Sequence, residues 1–138
     1  MWYELRPSMN TLMKTAFIFA EASHCKRNQV GAVISVDRRI ISTGYNGMPT
    51  GFTNECEDGD TTKSIVIHAE ANAILFAAKN GVSLKGSKLT LTLSPCIECA
   101  KMIIQSGISH VEYHDEYRVT DGIELLEKAG VKIWSSKS

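Results

Sequence analysis

The chain has 138 residues with 43% hydrophobic content, the size of one domain with a proper core and too short for two. Its 15 Lys and Arg balance 15 Asp and Glu, so no global basic field exists to hold a polymeric nucleic acid, and any phosphate recognition has to be local. No run approaches the roughly 18 apolar residues of a membrane span, and "MWYELRPSMN" lacks the apolar core of a signal peptide. The expectation is a cytoplasmic protein with no membrane partner, whose cysteines stay reduced.

In chain order, "SMNTLMKTAFIFAEAS" places Leu12, Phe17 and Ala20 at helical spacing, with Ser8 as its expected cap. "VGAVISV" and "RIISTGY", parted by Asp37-Arg38, predict a hairpin of two strands. From Asn46 to about Ile65 the chain offers Gly, Pro, Thr, Asn and Asp with little periodicity. That predicts a long structureless loop, and loops of that length are often functional. "IHAEANAILFAAKNG" is Ala-rich helix chemistry with Ala73, Phe76 and Ala77 on one side, closed by Asn80-Gly81. There follow a strand "KLTLTL", a helix from "PCIECAKMIIQSG" with Pro95 in its first turn, and a strand "HVEY". The helix "TDGIELLEKAG", the strand "VKIW" and the polar tail "SSKS" complete the chain. A hairpin followed by repeated α and β units predicts an α/β fold, a three-layer α/β/α sandwich on a mixed sheet of about five strands.

Two of the four cysteines, Cys96 and Cys99, sit three apart behind Pro95. A disulfide, a dithiol redox pair and two ligands of a metal all use such spacing, and a reducing compartment disfavours the first. At the start of a helix both sulfurs can face one ion, and the positive end of the helix dipole favours thiolate. A catalytic zinc needs a third protein ligand and an open position. The available candidates are His24, His68, His110, His114, Cys25 and Cys56. His68 stands out because "HAE" opens a second helix and carries a carboxylate, Glu70, two residues on. Residues two apart in a regular helix diverge by roughly 200°, so Glu70 is expected beside a metal-activated water as general base rather than as a ligand. H-x-E followed by P-C-x-x-C is the signature of the zinc nucleobase deaminases.

"HAEANAILFAAKNG", "TLSPCIECAKMIIQSGI" and "QVGAVISVDRRIISTGYNGMPTG" together resemble the deoxycytidylate (dCMP) deaminase family, above all its bacteriophage members, from about Thr11 to Trp134. The resemblance implies hydrolytic conversion of dCMP to dUMP for thymidylate synthesis, with His68, Cys96 and Cys99 on Zn2+ and Glu70 as proton shuttle. It further implies Asn46 on the sugar 3′-hydroxyl, Tyr117 of "YHDEYR" on the substrate, and Arg27 and Asn28 near phosphate and sugar. Lys26 and Lys79 are further cations available for phosphate; at Lys79 the phage relatives carry an arginine. Also implied are a homo-oligomer, typically a hexamer, and activation by dCTP, with Mg2+, against inhibition by dTTP. The glycine-rich "GYNG", with Gly44, Tyr45 and Gly47, is the allosteric candidate, and the helix segment Leu75, Phe76 and Ala77 a candidate oligomer contact. Some phage relatives place a second, structural zinc near Cys25 and Cys56. Here Val66 and Ile67 stand just ahead of His68 and leave that ligand set incomplete, so two buried or idle thiols are expected instead. A tRNA adenosine deaminase would need a basic surface, a structural zinc module a fourth protein ligand, and a dithiol redox protein two free sulfurs.

Overall fold

The computed structural model describes residues 9–137; the expected cap Ser8 lies outside them. Helix α1 spans Thr11–Ala20 and is capped by Asn10, whose side chain accepts the N–H of Met13 at 2.9 Å. Strands β1 (Gly31–Val36) and β2 (Arg39–Tyr45) form the expected hairpin. Asp37 and Arg38 both adopt positive φ, 50° and 66°, as a two-residue turn matching the twist of its strands requires.

The segment expected to be structureless contains a two-residue ladder of its own, β3 (Glu57–Asp58) with β4 (Thr61–Thr62), and a bridge joins Gly47 to Ile67. Helix α2 runs Ala69–Lys79, β5 Lys88–Leu93, α3 Ile97–Ser106, β6 His110–Asp115, α4 Asp121–Lys128 and β7 Lys132–Ser135. Pro95 precedes the cap of α3, Cys96, instead of lying within the first turn.

The main sheet has the order β2-β1-β5-β6-β7, antiparallel from β2 to β5 and parallel from β5 to β7. Both parallel connections are helical, as parallel pairing demands. Helix α1 covers one face of the sheet, with Met13, Ala16 and Phe17 against Val33. On the other face α2, α3 and α4 bury Ala73, Ala77, Ala100, Ile103 and Leu126 against Leu89, Leu91 and Val111. The result is the expected three-layer sandwich on a mixed five-stranded sheet. Phe76 departs from the expected apolar side of α2: it is 55% exposed, whereas Ala73 and Ala77 are fully buried. Small residues bring α2 close to the sheet. At Gly44 a Cβ would stand 2.4 Å from the Ala69 carbonyl oxygen, so Gly44 serves that close packing.

Candidate active site

The helices α2 and α3 start side by side at one edge of the sheet, and their caps are His68 and Cys96. Both caps have extended backbone and neither side chain satisfies its own helix, so both are aimed outward from the helix ends. Cys99, in the first turn of α3, is buried beside them. His68 Nδ1 lies 3.6 Å from Cys96 Sγ and 3.3 Å from Cys99 Sγ. A tetrahedral zinc with Zn–N near 2.05 Å and Zn–S near 2.3 Å places such atoms about 3.5 Å apart. The three donor atoms also lie within 4.8 Å of one another. The donor set and its spacing therefore fit zinc with three protein ligands.

The electrostatics of the cluster agree. Hydrogen bonds from the Cys99 thiol and from His68 pull the Cys96 thiol down to about 3. The same Cys96–Cys99 bond, together with burial, pushes Cys99 up, and the bond to Cys96 raises the His68 imidazole. One sulfur thus holds the proton that the other has lost; a dication among them favours the deprotonated form of both.

Glu70, in the first turn of α2, is 4% exposed. Desolvation raises its carboxyl to about 7, against the smaller opposing effects of the backbone and His68. A group poised at that value both accepts and returns a proton near neutrality. Because His68 is an extended cap, the angular count for a regular helix does not apply between it and Glu70. The two nonetheless line one cavity together with Cys96.

That cavity has a volume of about 380 Å³, within the roughly 300–1,000 Å³ of small-ligand sites. All four residues expected to meet substrate line it: Arg27, Asn28, Asn46 and Tyr117. The Asn46 side chain accepts the N–H of Val30 at 2.9 Å and donates to the Asn28 carbonyl at 2.8 Å. Each end of its amide keeps one further hydrogen-bonding position. Tyr117 is held by its N–H, which donates to Ser94 Oγ at 2.7 Å. Arg27 donates to Thr62 Oγ1 at 3.2 Å.

Arg118 also lines the cavity, with its guanidinium 6.0 Å from the Tyr117 ring centroid. Its one mark in the sequence is its place directly after Tyr117 in "YHDEYR". Gly122, at the start of α4, faces the same turn: a Cβ there would stand 2.2 Å from the Pro95 carbonyl oxygen and 2.8 Å from Cys96 backbone atoms. A glycine lets α4 seat directly behind the two cysteines.

The other candidates lie elsewhere. His110 stacks edge-on with Trp134, and His114 meets Ser136 Oγ at 2.7 Å and the Phe17 ring. His24 and Lys79 line a second cavity of about 490 Å³ with Gly44, Tyr45, Gly47, Leu75 and Phe76, and Asn46 borders both cavities. The amides of "GYNG" do not form a phosphate cradle. Asn46 N–H donates to the Val30 carbonyl and Gly47 N–H to the Ile67 carbonyl, so a ligand there would meet mainly side chains. Ala77 is core, and only Leu75 and Phe76 of the expected contact segment are exposed. Cys25 and Cys56, expected as buried or idle thiols, are both buried and are joined in a disulfide across 31 residues.

Residues 7–115 match the model of the cytidine and deoxycytidylate deaminase zinc-binding region. The deoxycytidylate deaminase of Enterobacteria phage T4 is 34% identical, over 91% of this chain and 88% of its own length. The human deoxycytidylate deaminase is 38% identical, over 86% and 74%. Among solved structures, the dCMP deaminase of cyanophage S-TIM5 in complex with dCMP and dUMP superposes with a TM-score of 0.86 at 47% identity. The superposition covers 89% of this chain and 92% of that one.

Proposed function

Because the chain belongs to the zinc-binding cytidine and deoxycytidylate deaminase family, we propose that its cavity hydrolyses dCMP to dUMP and ammonia. The observation that carries the reading is the buried carboxyl of Glu70 in one cavity with His68 and Cys96, whose donor atoms cluster with Cys99 Sγ. His68 Nδ1 and the two sulfurs would hold the zinc, which when bound supplies a water acidified from about 16 to about 7. Glu70 takes the proton of the attacking water and delivers it to ring N3, which makes C4 electrophilic. It then takes the remaining proton of the hydroxyl added at C4 and passes it to the exocyclic amine, so that the C4–N bond breaks as the C4 carbonyl forms, with ammonia as the leaving group. Asn46, through its remaining amide positions, would orient the 3′-hydroxyl, and Tyr117 would cover the substrate.

Among the described residues, Arg27 and Arg118 are the guanidinium groups lining the cavity, and we assign them to the 5′-phosphate. Asn28 contributes wall and backbone. Lys26 does not line the cavity and Lys79 lines the other one. A charge-assisted hydrogen bond contributes roughly 1.5–3 kcal/mol. Arg118→Ala is therefore expected to raise KM for dCMP about 10- to 100-fold while leaving turnover of unphosphorylated deoxycytidine unchanged. Equal losses on both substrates would remove Arg118 from phosphate binding.

The reading includes a cytoplasmic homo-oligomer, a hexamer, activated by dCTP with Mg2+ and inhibited by dTTP. The exposed apolar group of Tyr45, Leu75 and Phe76 around the second cavity supports its oligomer contact, and the effectors follow from the family reading. Ammonia release from dCMP, cytidine, dCTP and adenosine-containing RNA tests the substrate assignment, with dCMP the preferred substrate. Preference for cytidine or RNA would overturn it.

A further inference from the structure

Between Gly47 and His68, Cys56 is the one buried residue; the rest of that stretch is exposed or half-exposed. Segments with so few buried contacts open at little cost. Yet this stretch contributes Glu57, Thr62 and Val66 to the cavity wall that faces Arg27 and Asn28. The two walls meet at the disulfide. Cys25 lines the catalytic cavity two residues before Arg27, and Cys56 lines the second cavity immediately before Glu57. Around the bond, Glu57 Oε2 accepts the N–H groups of Lys26 and Arg27 at 2.9 and 3.2 Å. The Cys56 carbonyl accepts from Lys63, closing the small hairpin, and Ser23 Oγ ties the Cys25 N–H to the Asn46 carbonyl. With the bond cut, the hydrogen bonds left across the two walls, from Lys26 and Arg27 N–H to Glu57 and from the Arg27 guanidinium to Thr62, are exposed. His68, Glu70, Cys96 and Cys99 stand on helices packed into the core and do not depend on it.

We propose that the Cys25–Cys56 disulfide is a reversible clamp on the mouth of the active site, whose reduction weakens nucleotide binding and spares the chemical step. Disulfides of reducing compartments are typically transient and redox-sensing. In the cell the reductant is a dithiol: the S–S bond takes up two electrons and two protons to give two thiols, and the dithiol closes to its own disulfide. The kinetic readout rests on the deaminase reading; the hydrogen-exchange readout does not.

The test compares zinc-loaded enzyme, oxidised and after reduction with a phosphine that is converted to its oxide by water. Reduction is expected to raise KM for dCMP at least about fivefold, as the fraction of closed mouth falls, with kcat changed by less than twofold. Cys25→Ser combined with Cys56→Ser should show the reduced KM and no response to reductant. Hydrogen exchange over residues 50–66 should accelerate at least about tenfold on reduction, as local opening becomes easier. Absence of any deamination would fail the functional reading while the exchange result still decides the clamp. Unchanged exchange, a reductant-sensitive double variant, or uptake of a second zinc equivalent on reduction with KM unchanged would each overturn it.

Discussion

Glu70→Gln is expected to bind zinc at one equivalent per chain and to lose about 10²- to 10⁴-fold in kcat, the range of a removed general acid–base group. The two side chains have the same shape, so the cavity wall is preserved, but the amide cannot take the proton of water and pass it to N3. Stability should move the other way. Burial holds the Glu70 carboxyl near 7 because its charged form is poorly solvated. A neutral amide of equal size removes that penalty, so Tm is expected to stay level or rise. Inactivity with unimpaired folding separates a chemical role from a structural one. Parent-level deamination by the purified variant would dismiss Glu70 as the proton carrier, and a fall in zinc content would make it a ligand.

The residues of this centre were legible in the sequence because their chemistry is local. Cys96 and Cys99 share a helix start, His68 and Glu70 share another, and spacing within a helix start is set by a few dihedral angles. The Asp37-Arg38 turn and "KLTLTL" were legible for the same reason: a two-residue hairpin and a six-residue alternation leave marks within the window that forms them. What escaped was decided across the chain. The β3–β4 ladder has two residues a side with no apolar alternation to betray it. The pairing of Cys25 with Cys56 spans 31 residues, and only the meeting of two loops over the cavity explains it. Arg118 carries no motif of its own; it reaches the cavity beside Tyr117, whose backbone the Ser94 hydroxyl holds. Phe76 fits the apolar periodicity of α2 yet is exposed, while Ala73, packed closely over Gly44 of β2, and Ala77 are fully buried.

Removal of the metal is the second large expected effect. Dialysis against a strong chelator should abolish deamination, by at least about 10³-fold, and added Zn2+ should restore it, because without zinc a water of pKa about 16 replaces one near 7. Far-ultraviolet circular dichroism should barely change. The core of Leu89, Leu91, Val111, Ile103 and Leu126 is assembled away from the ligands by burial alone, unlike a zinc finger, whose fold is made by its metal. Tm should nevertheless fall by several degrees, since a ligand bound only by the folded state stabilises it in proportion to RT ln(1 + [L]/Kd). The pattern distinguishes the alternatives through the fate of Cys96 and Cys99. Complete unfolding on chelation would make the cluster a structural zinc module, and retained activity would place the chemistry elsewhere. A chelated protein that is folded, inactive and rescued by zinc leaves His68, Cys96 and Cys99 holding an ion that the fold can do without and the reaction cannot.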